Sequence, residues 1–186
     1  PAATTPADTK LKDGHMKHVF KEATRPLVPD VIADRNGSGG GGGSYALAKS
    51  GAGTTILSGT NTYTGGTTIT GGLINFASNS NLGSGSVTLN GGGLQWATGT
   101  ITDISSRLAA LGSGGATFDT NGNDVTLATG LSGAGALTKS GLGALTLSGV
   151  NGYTGGTTIN AGTLSVADDA NLGAASGGLG FGGGTL

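Results

Sequence analysis

Cysteine is absent from this 186-residue chain, and with it disulfides and any thiolate metal site. Charged residues make up only 10% and nearly cancel, leaving a formal net charge of −1. Nothing in that balance draws the chain to nucleic acid or to an anionic membrane. No apolar run approaches the roughly 20 residues that a membrane helix needs, so no direct membrane span is expected. No basic-then-apolar leader opens the chain at Pro1, which places any secretion signal upstream of it. Aromatics are held to 4%, so few bulky side chains remain for a helical core. From residue 45 onward there is no His, Cys or Glu. General acid–base or nucleophilic catalysis there would have to be built from five Asp, two Lys and one Arg.

What is abundant is glycine, 41 residues of it. Glycine destabilises helix interiors, which argues against a helical bundle. The glycines show no strict three-residue period, which excludes collagen. Disorder is the rival reading for a Gly/Ser/Thr/Asn-rich chain. Against it stand short alternating Val/Ile/Leu/Thr segments throughout the second part.

Charge divides the chain. Residues 1–44 hold eleven of the nineteen charged residues and both histidines. The run from Gly37 to Ser44, GSGGGGGS, is a flexible coil by composition. Three domains follow: a charged N-terminal segment at 1–36, helical or disordered; a Gly/Ser linker at 37–44; and a repeat region at 45–186.

The repeat region decides the fold. Residues 46–72 read ALAKSGAGTTILSGTNTYTGGTTITGG, and residues 136–162 read ALTKSGLGALTLSGVNGYTGGTTINAG. Lys49 answers Lys139, Asn61 answers Asn151 and Tyr63 answers Tyr153, always at an offset of 90. Fixed-period self-similarity marks solenoids and arrays. Strands are expected at Thr54–Leu57, Thr67–Ile69, Leu73–Phe76, Val87–Leu89, Leu94–Trp96 and Ala116–Phe118. Further strands are expected at Val125–Leu127, Ala144–Leu147, Thr157–Ile159 and Thr163–Val166. Each is β-rich and bounded by Gly, Asn or Ser. Val125, Leu145 and Leu164 are spaced by 20 and 19, so coils of about 18–23 residues fit the pattern. The expected fold is all-β, a parallel β-helix in which each coil buries its apolar face only by stacking on the next. Leu145, Leu147, Ile159, Leu164 and Val166 should point inward. Asn61, Asn79, Asn81, Asn151 and Asn171 should sit in turns, some of them in stacked ladders.

The run Leu137–Val166, LTKSGLGALTLSGVNGYTGGTTINAGTLSV, resembles the passenger-associated β-strand repeat of bacterial autotransporters. Its Lys-Ser-Gly turn, Leu-x-Leu-Ser-Gly, Asn-x-Tyr-Thr-Gly-Gly-Thr and Gly-Thr-Leu elements follow that pattern. The first copy, Leu47–Phe76, departs at Ile56-Leu57 and at Leu73-Ile74. The resemblance implies a right-handed parallel β-helix on the outer surface of a Gram-negative bacterium, secreted through a C-terminal barrel of the parent. It implies a structural stalk displaying adhesive or self-associating surface, with host or bacterial cell surfaces and further copies of itself as partners. No catalytic residue, cofactor or metal is expected. Lys10–Arg35 resembles the C-terminal part of the synthetase domain of glutamine-dependent asparagine synthetases, without that family's nucleotide-binding loop. Two other readings follow: a polysaccharide lyase-like enzyme, or a solenoid carrying residues 1–36 as a graft.

The chemical candidates are few. Gly133–Ser140, GAGALTKS, lacks the Gly before Lys139 that a phosphate loop requires and reads as a repeat turn. Asp119, Asn121 and Asn123 alternate like a calcium loop, but Asp124 and Gly130 occupy the positions that need Gly and Glu. Asp168-Asp169 reads as an exposed corner, and His15 and His18 lack a third ligand. For the lyase reading, Arg107 near Asp103 is the place to look. Tyr63 and Tyr153 read as turn packing rather than an adhesive stripe. The chain stops part-way through its second 90-residue unit, so an open edge from about Leu172 is expected to associate or unravel.

Overall fold

The computed structural model describes residues 45–186, and the expectations for the N-terminal segment, its histidines and the Gly/Ser linker lie outside those residues. Thirteen short strands follow one another: β1 (Leu47–Lys49), β2 (Thr54–Leu57), β3 (Thr67–Ile69), β4 (Leu73–Phe76), β5 (Val87–Leu89), β6 (Gly93–Trp96) and β7 (Ala116–Asp119). The remainder are β8 (Val125–Leu127), β9 (Leu137–Ser140), β10 (Ala144–Leu147), β11 (Thr157–Ile159), β12 (Thr163–Val166) and β13 (Leu179–Phe181). Every strand pairing is parallel. The chain is therefore a parallel β-solenoid, as its repeats imply.

Two expected strands start or end a residue away, at Gly93 and Asp119, and three were missed: β1, β9 and β13. The first two of these take in Lys49 and Lys139, which open the Lys-Ser-Gly elements read as turns. Stacking on a neighbouring coil pulls them into the sheet, and short strands are set by such pairing more than by local propensity.

Three sheets result. A seven-stranded sheet, ordered β13-β11-β9-β7-β6-β4-β2, runs the described length. A three-stranded sheet β1-β3-β5 flanks its first part, and another, β12-β10-β8, flanks the later part. Coil length varies: Thr54 pairs with Leu73, 19 residues on, whereas Gly93 pairs with Thr117, 24 on. The long coil carries the irregular segment between β6 and β7.

That variation has a consequence for the repeat. At the 90-residue offset β9 and β11 answer β1 and β3, and β10 and β12 answer β2 and β4. Yet β1 and β3 lie in a flanking sheet, while β9 and β11 lie in the seven-stranded one. Likewise β2 and β4 lie in the seven-stranded sheet, and β10 and β12 in a flanking one. The second copy is thus turned one sheet further round the solenoid, and equivalent residues look out on different sides.

The interior follows the strand alternation. Leu145, Leu147, Ile159 and Leu164 are buried, and Val166 packs partly buried against the same core. Phe76, Trp96 and Phe118 form an aromatic pile, with ring centroids 5.3 Å and 6.2 Å apart. Leu145 sits between Val125 and Leu164 on the adjoining coils. Replacing it with Ala should cost about 2–5 kcal/mol, because those neighbours cannot close a gap fixed by backbone ladders on both sides. Urea unfolding followed by circular dichroism measures it; a loss under about 1 kcal/mol would mean that the column relaxes.

Candidate functional site

Groups capable of chemistry are scarce in this solenoid, and the structure shows where each one goes. Lys139 stands inward on β9, fully buried, in a column between Phe118 and Ile159. Its ammonium donates to the carbonyls of Ser140 (2.8 Å), Gly141 (2.7 Å) and Ala161 (3.2 Å). Lys49 does the same in the first copy, to Ser50 (3.0 Å), Gly51 (2.7 Å) and Gly71 (3.0 Å). Each lysine therefore clasps its own turn to the turn of the following coil. It leaves no donor aimed at a phosphate. Burial pushes the Lys139 ammonium down to about 8, and nearby Asp119 acts in the opposite direction. Gly162 completes the clasp: at φ +67 it adopts a left-handed backbone, and a Cβ there would lie 2.8 Å from the Lys139 Nζ. The Lys-Ser-Gly element is thus a strand end with a buried cation rather than a free turn. The signal was present, since Leu137 and Lys139 alternate with Thr138 and Ser140 and so share the inward face.

Arg107 and Asp103 do not form the pair that a lyase would need. The Arg107 guanidinium donates to the carbonyls of Asn79 (2.6 Å), Leu82 (3.0 Å) and Gly85 on the preceding coil. Asp103 accepts from Ser105 N (2.8 Å) and, on the following coil, from Ala128 N (3.1 Å). Both side chains pin the long coil to its neighbours. Lacking β ladders of its own there, the irregular segment satisfies backbone groups through side chains.

Asp119, Asn121 and Asn123 are also spent on the stack. Asp119 accepts from Gln95 Nε2 (2.8 Å) and from Asn121 N (2.9 Å). Gln95 in turn accepts from Asn75 Nδ2 (2.9 Å), giving an amide ladder along the outer face of β4, β6 and β7. Asn121 donates to Trp96 O (3.0 Å), and Asn123 donates to Ala97 O (3.0 Å) and Thr120 O (2.8 Å). These bonds turn the amides toward the coil below and away from a common centre. Among the described residues no group of three or more His, Cys, Asp or Glu could hold a metal ion. Asp168 caps the short 3₁₀ turn Asp169–Leu172, accepting from Ala170 N (2.9 Å).

The turn asparagines do stack. Asn61 Nδ2 donates to Asn81 O and Asn151 Nδ2 to Asn171 O, both at 2.6 Å and both 20 residues on. Asn79 stays exposed and reaches Asp103 O at 3.3 Å. Tyr63 and Tyr153 are fully buried, sharing a hydrogen bond with Thr67 Oγ1 (2.6 Å) and Thr157 Oγ1 (2.7 Å). Burial raises both phenol pKa values above the ordinary range. Neither ring reaches the surface, so they form no adhesive stripe.

Two comparisons bear on this arrangement. The passenger-associated-transport-repeat family matches residues 47–75 and 137–166, the two segments that carry the lysine clasp, the buried tyrosine and the donor asparagine of each stack. The chain is similar to an adhesin BmaC autotransporter of Brucella suis biovar 1 (strain 1330), at 42% identity over 139 residues. That match covers 74% of this chain and 4% of the Brucella protein, so the chain spans a small part of the length of that relative. No solved structure matches. The matched segments are those in which the lysine clasp and the tyrosine–threonine bond recur, and they lie one sheet apart around a single solenoid.

Proposed function

We propose that residues 45–186 are a structural stalk segment of a bacterial autotransporter passenger, held outside the cell by the outer-membrane anchor of its parent. The observation that carries this reading is the unbroken seven-stranded sheet. Along it both lysines, Arg107 and Asp103, Asp119, Asp124 and Asp168 are bonded to backbone, from the buried Lys139 to the exposed Asp103, Asp124 and Asp168. Such a chain spends its polar groups on stiffness. It is not an enzyme, and its use is to carry adhesive or self-associating surface toward host or bacterial cells. The adhesin name of the Brucella relative supports that use.

Strands stack about 4.8 Å apart, so seven of them extend the rod by roughly 30 Å. Doubling residues 45–186 in a displayed passenger should move an N-terminal fluorophore outward by about that distance. Energy transfer to a membrane dye reads the change, and an unaltered distance would count against a stalk. Calcium-dependent turnover of acidic glycans by the purified chain would restore the lyase reading.

The boundaries belong to the same proposal. Residues 1–36, with their resemblance to an asparagine synthetase segment, form a separate charged segment joined by the 37–44 linker. Deleting residues 1–44 should leave the cooperative melt of the solenoid nearly unchanged, because a Gly/Ser tract of the 37–44 composition is expected to couple regions weakly. A clear drop in melting temperature would assign that segment to the solenoid as its cap.

A further inference from the structure

Three Asn-Gly pairs fall within the solenoid: Asn90–Gly91, Asn121–Gly122 and Asn151–Gly152. This dipeptide is the one most prone to deamidate, because glycine offers little steric obstacle to attack by its own nitrogen. The Gly nitrogen attacks the Asn Cγ as its proton is lost, the Cγ–Nδ2 bond breaks and ammonia leaves. Water then opens the succinimide to Asp or isoAsp. The reaction needs a free glycine amide and a free Asn side chain, and here the stack withholds both.

Gly91 N donates to Gly115 O (2.8 Å), Gly122 N to Leu142 O (2.8 Å) and Gly152 N to Leu131 O (2.7 Å). Each acceptor lies on an adjoining coil. The side chains are held unequally. Asn151 is buried and bonded twice, donating to Asn171 O (2.6 Å) and accepting from Leu131 N (2.6 Å). Asn90 and Asn121 are exposed. Asn90 accepts from Gly114 N (2.8 Å), and Asn121 donates to Trp96 O (3.0 Å). Asn121 also sits at φ 49, the single described non-glycine residue with positive φ.

We propose that Asn121–Gly122 and Asn90–Gly91 are deamidation sites gated by coil separation, with Asn151–Gly152 protected by its buried double bond. Attack requires the neighbouring coil to lift from the glycine amide, so the native rate is the unfolded rate scaled by the open fraction. At Asn121 the product matters. An Asp loses the donor to Trp96 O and sets a second carboxylate beside Asp119, and isoAsp adds a backbone carbon that throws the corner out of register. Deamidation there marks and then propagates coil opening.

The test uses the full chain at pH 8.5 and 37 °C, intact and in 8 M urea, with isoAsp located by peptide mapping. In urea all three sites should deamidate at comparable rates. In the intact chain Asn121 and Asn90 should slow at least tenfold, and Asn151 should be slower than either. Leu145→Ala, which destabilises the stack beside the corner and so raises its open fraction, should bring the Asn121 rate back toward its urea value. Equal rates at Asn121 with and without urea would overturn the gating, as would Asn151 reacting first in the intact chain. Should Leu145→Ala prove unfolded, the urea comparison decides alone.

Discussion

Trp96→Ala should lower the unfolding free energy by about 3–5 kcal/mol, the range for truncating a large core aromatic. Trp96 is fully buried in the middle of the aromatic pile, with Phe76 on one coil and Phe118 on another. It lies on β6, the last regular strand before the 24-residue coil. Its indole also donates to Thr102 O at 2.8 Å, fastening the irregular loop over the core. Truncation therefore opens a cavity and strips that loop of an anchor at once. Backbone ladders to β4 and β7 hold the coil spacing, so the cavity cannot collapse. Trp96 is the chain's one tryptophan, so circular dichroism in urea is the measurement, with outward-facing Gln95→Ala as the comparison. Removing Gln95 should cost only about 0.5–1.5 kcal/mol for its exchanged hydrogen bonds. Equal losses for the two would show that the pile contributes little beyond its backbone.

Lys139→Met should cost about 3 kcal/mol, and clearly more than Lys49→Met. Each buried carbonyl left without a donor costs about 1–3 kcal/mol. Three carbonyls lose theirs at Lys139, while relief from holding a desolvated ammonium offsets part of the loss. Lys49 makes the same three bonds from a half-buried position, where water replaces the lost donor. The pH dependence separates clasp from packing. Burial places the Lys139 ammonium at about 8 in the folded chain, against an ordinary 10.5. Between those values the unfolded chain binds more protons, so the contribution of Lys139 to stability rises with pH from about 8 to 10.5. This protonation-linked part is fully present above 10.5 and lost as pH falls through 8, where the carbonyl bonds alone remain. Tyr63 and Tyr153, whose phenols burial pushes up, contribute alike in both proteins, so the wild-type minus Lys139→Met difference isolates the lysine. A difference in urea midpoint that stays flat from pH 8 to 10 would mean that the carbonyls hold the proton as firmly as water does.

Much of this was legible in the residues. Leu145, Leu147, Ile159 and Leu164 lie where period-two alternation places them, since a strand sends alternate side chains to opposite faces whatever its neighbours. Coil spacing could be read from Val125, Leu145 and Leu164 because stacking demands like above like, and the register confirms the same three residues as partners. The 90-residue offset named the repeat for the same reason. What the offset could not say is how many coils it contains. Coils of 19 to 24 residues all close, so only the pairing of β6 with β7 and of β7 with β9 turned the second copy by one sheet. Lys139 is the same kind of case. Its place on an inward face was written in the strand, but three carbonyls converge on its Nζ only because the Ala161 turn stacks on the Gly141 turn. Arg107 and Asp103, four residues apart and suggestive as a pair, were separated by coils on either side that offered each a nearer backbone partner. In a solenoid the strand pattern is local and belongs to the sequence, whereas the destination of each polar group depends on which coil lies above and below, and that is decided only when the stack closes.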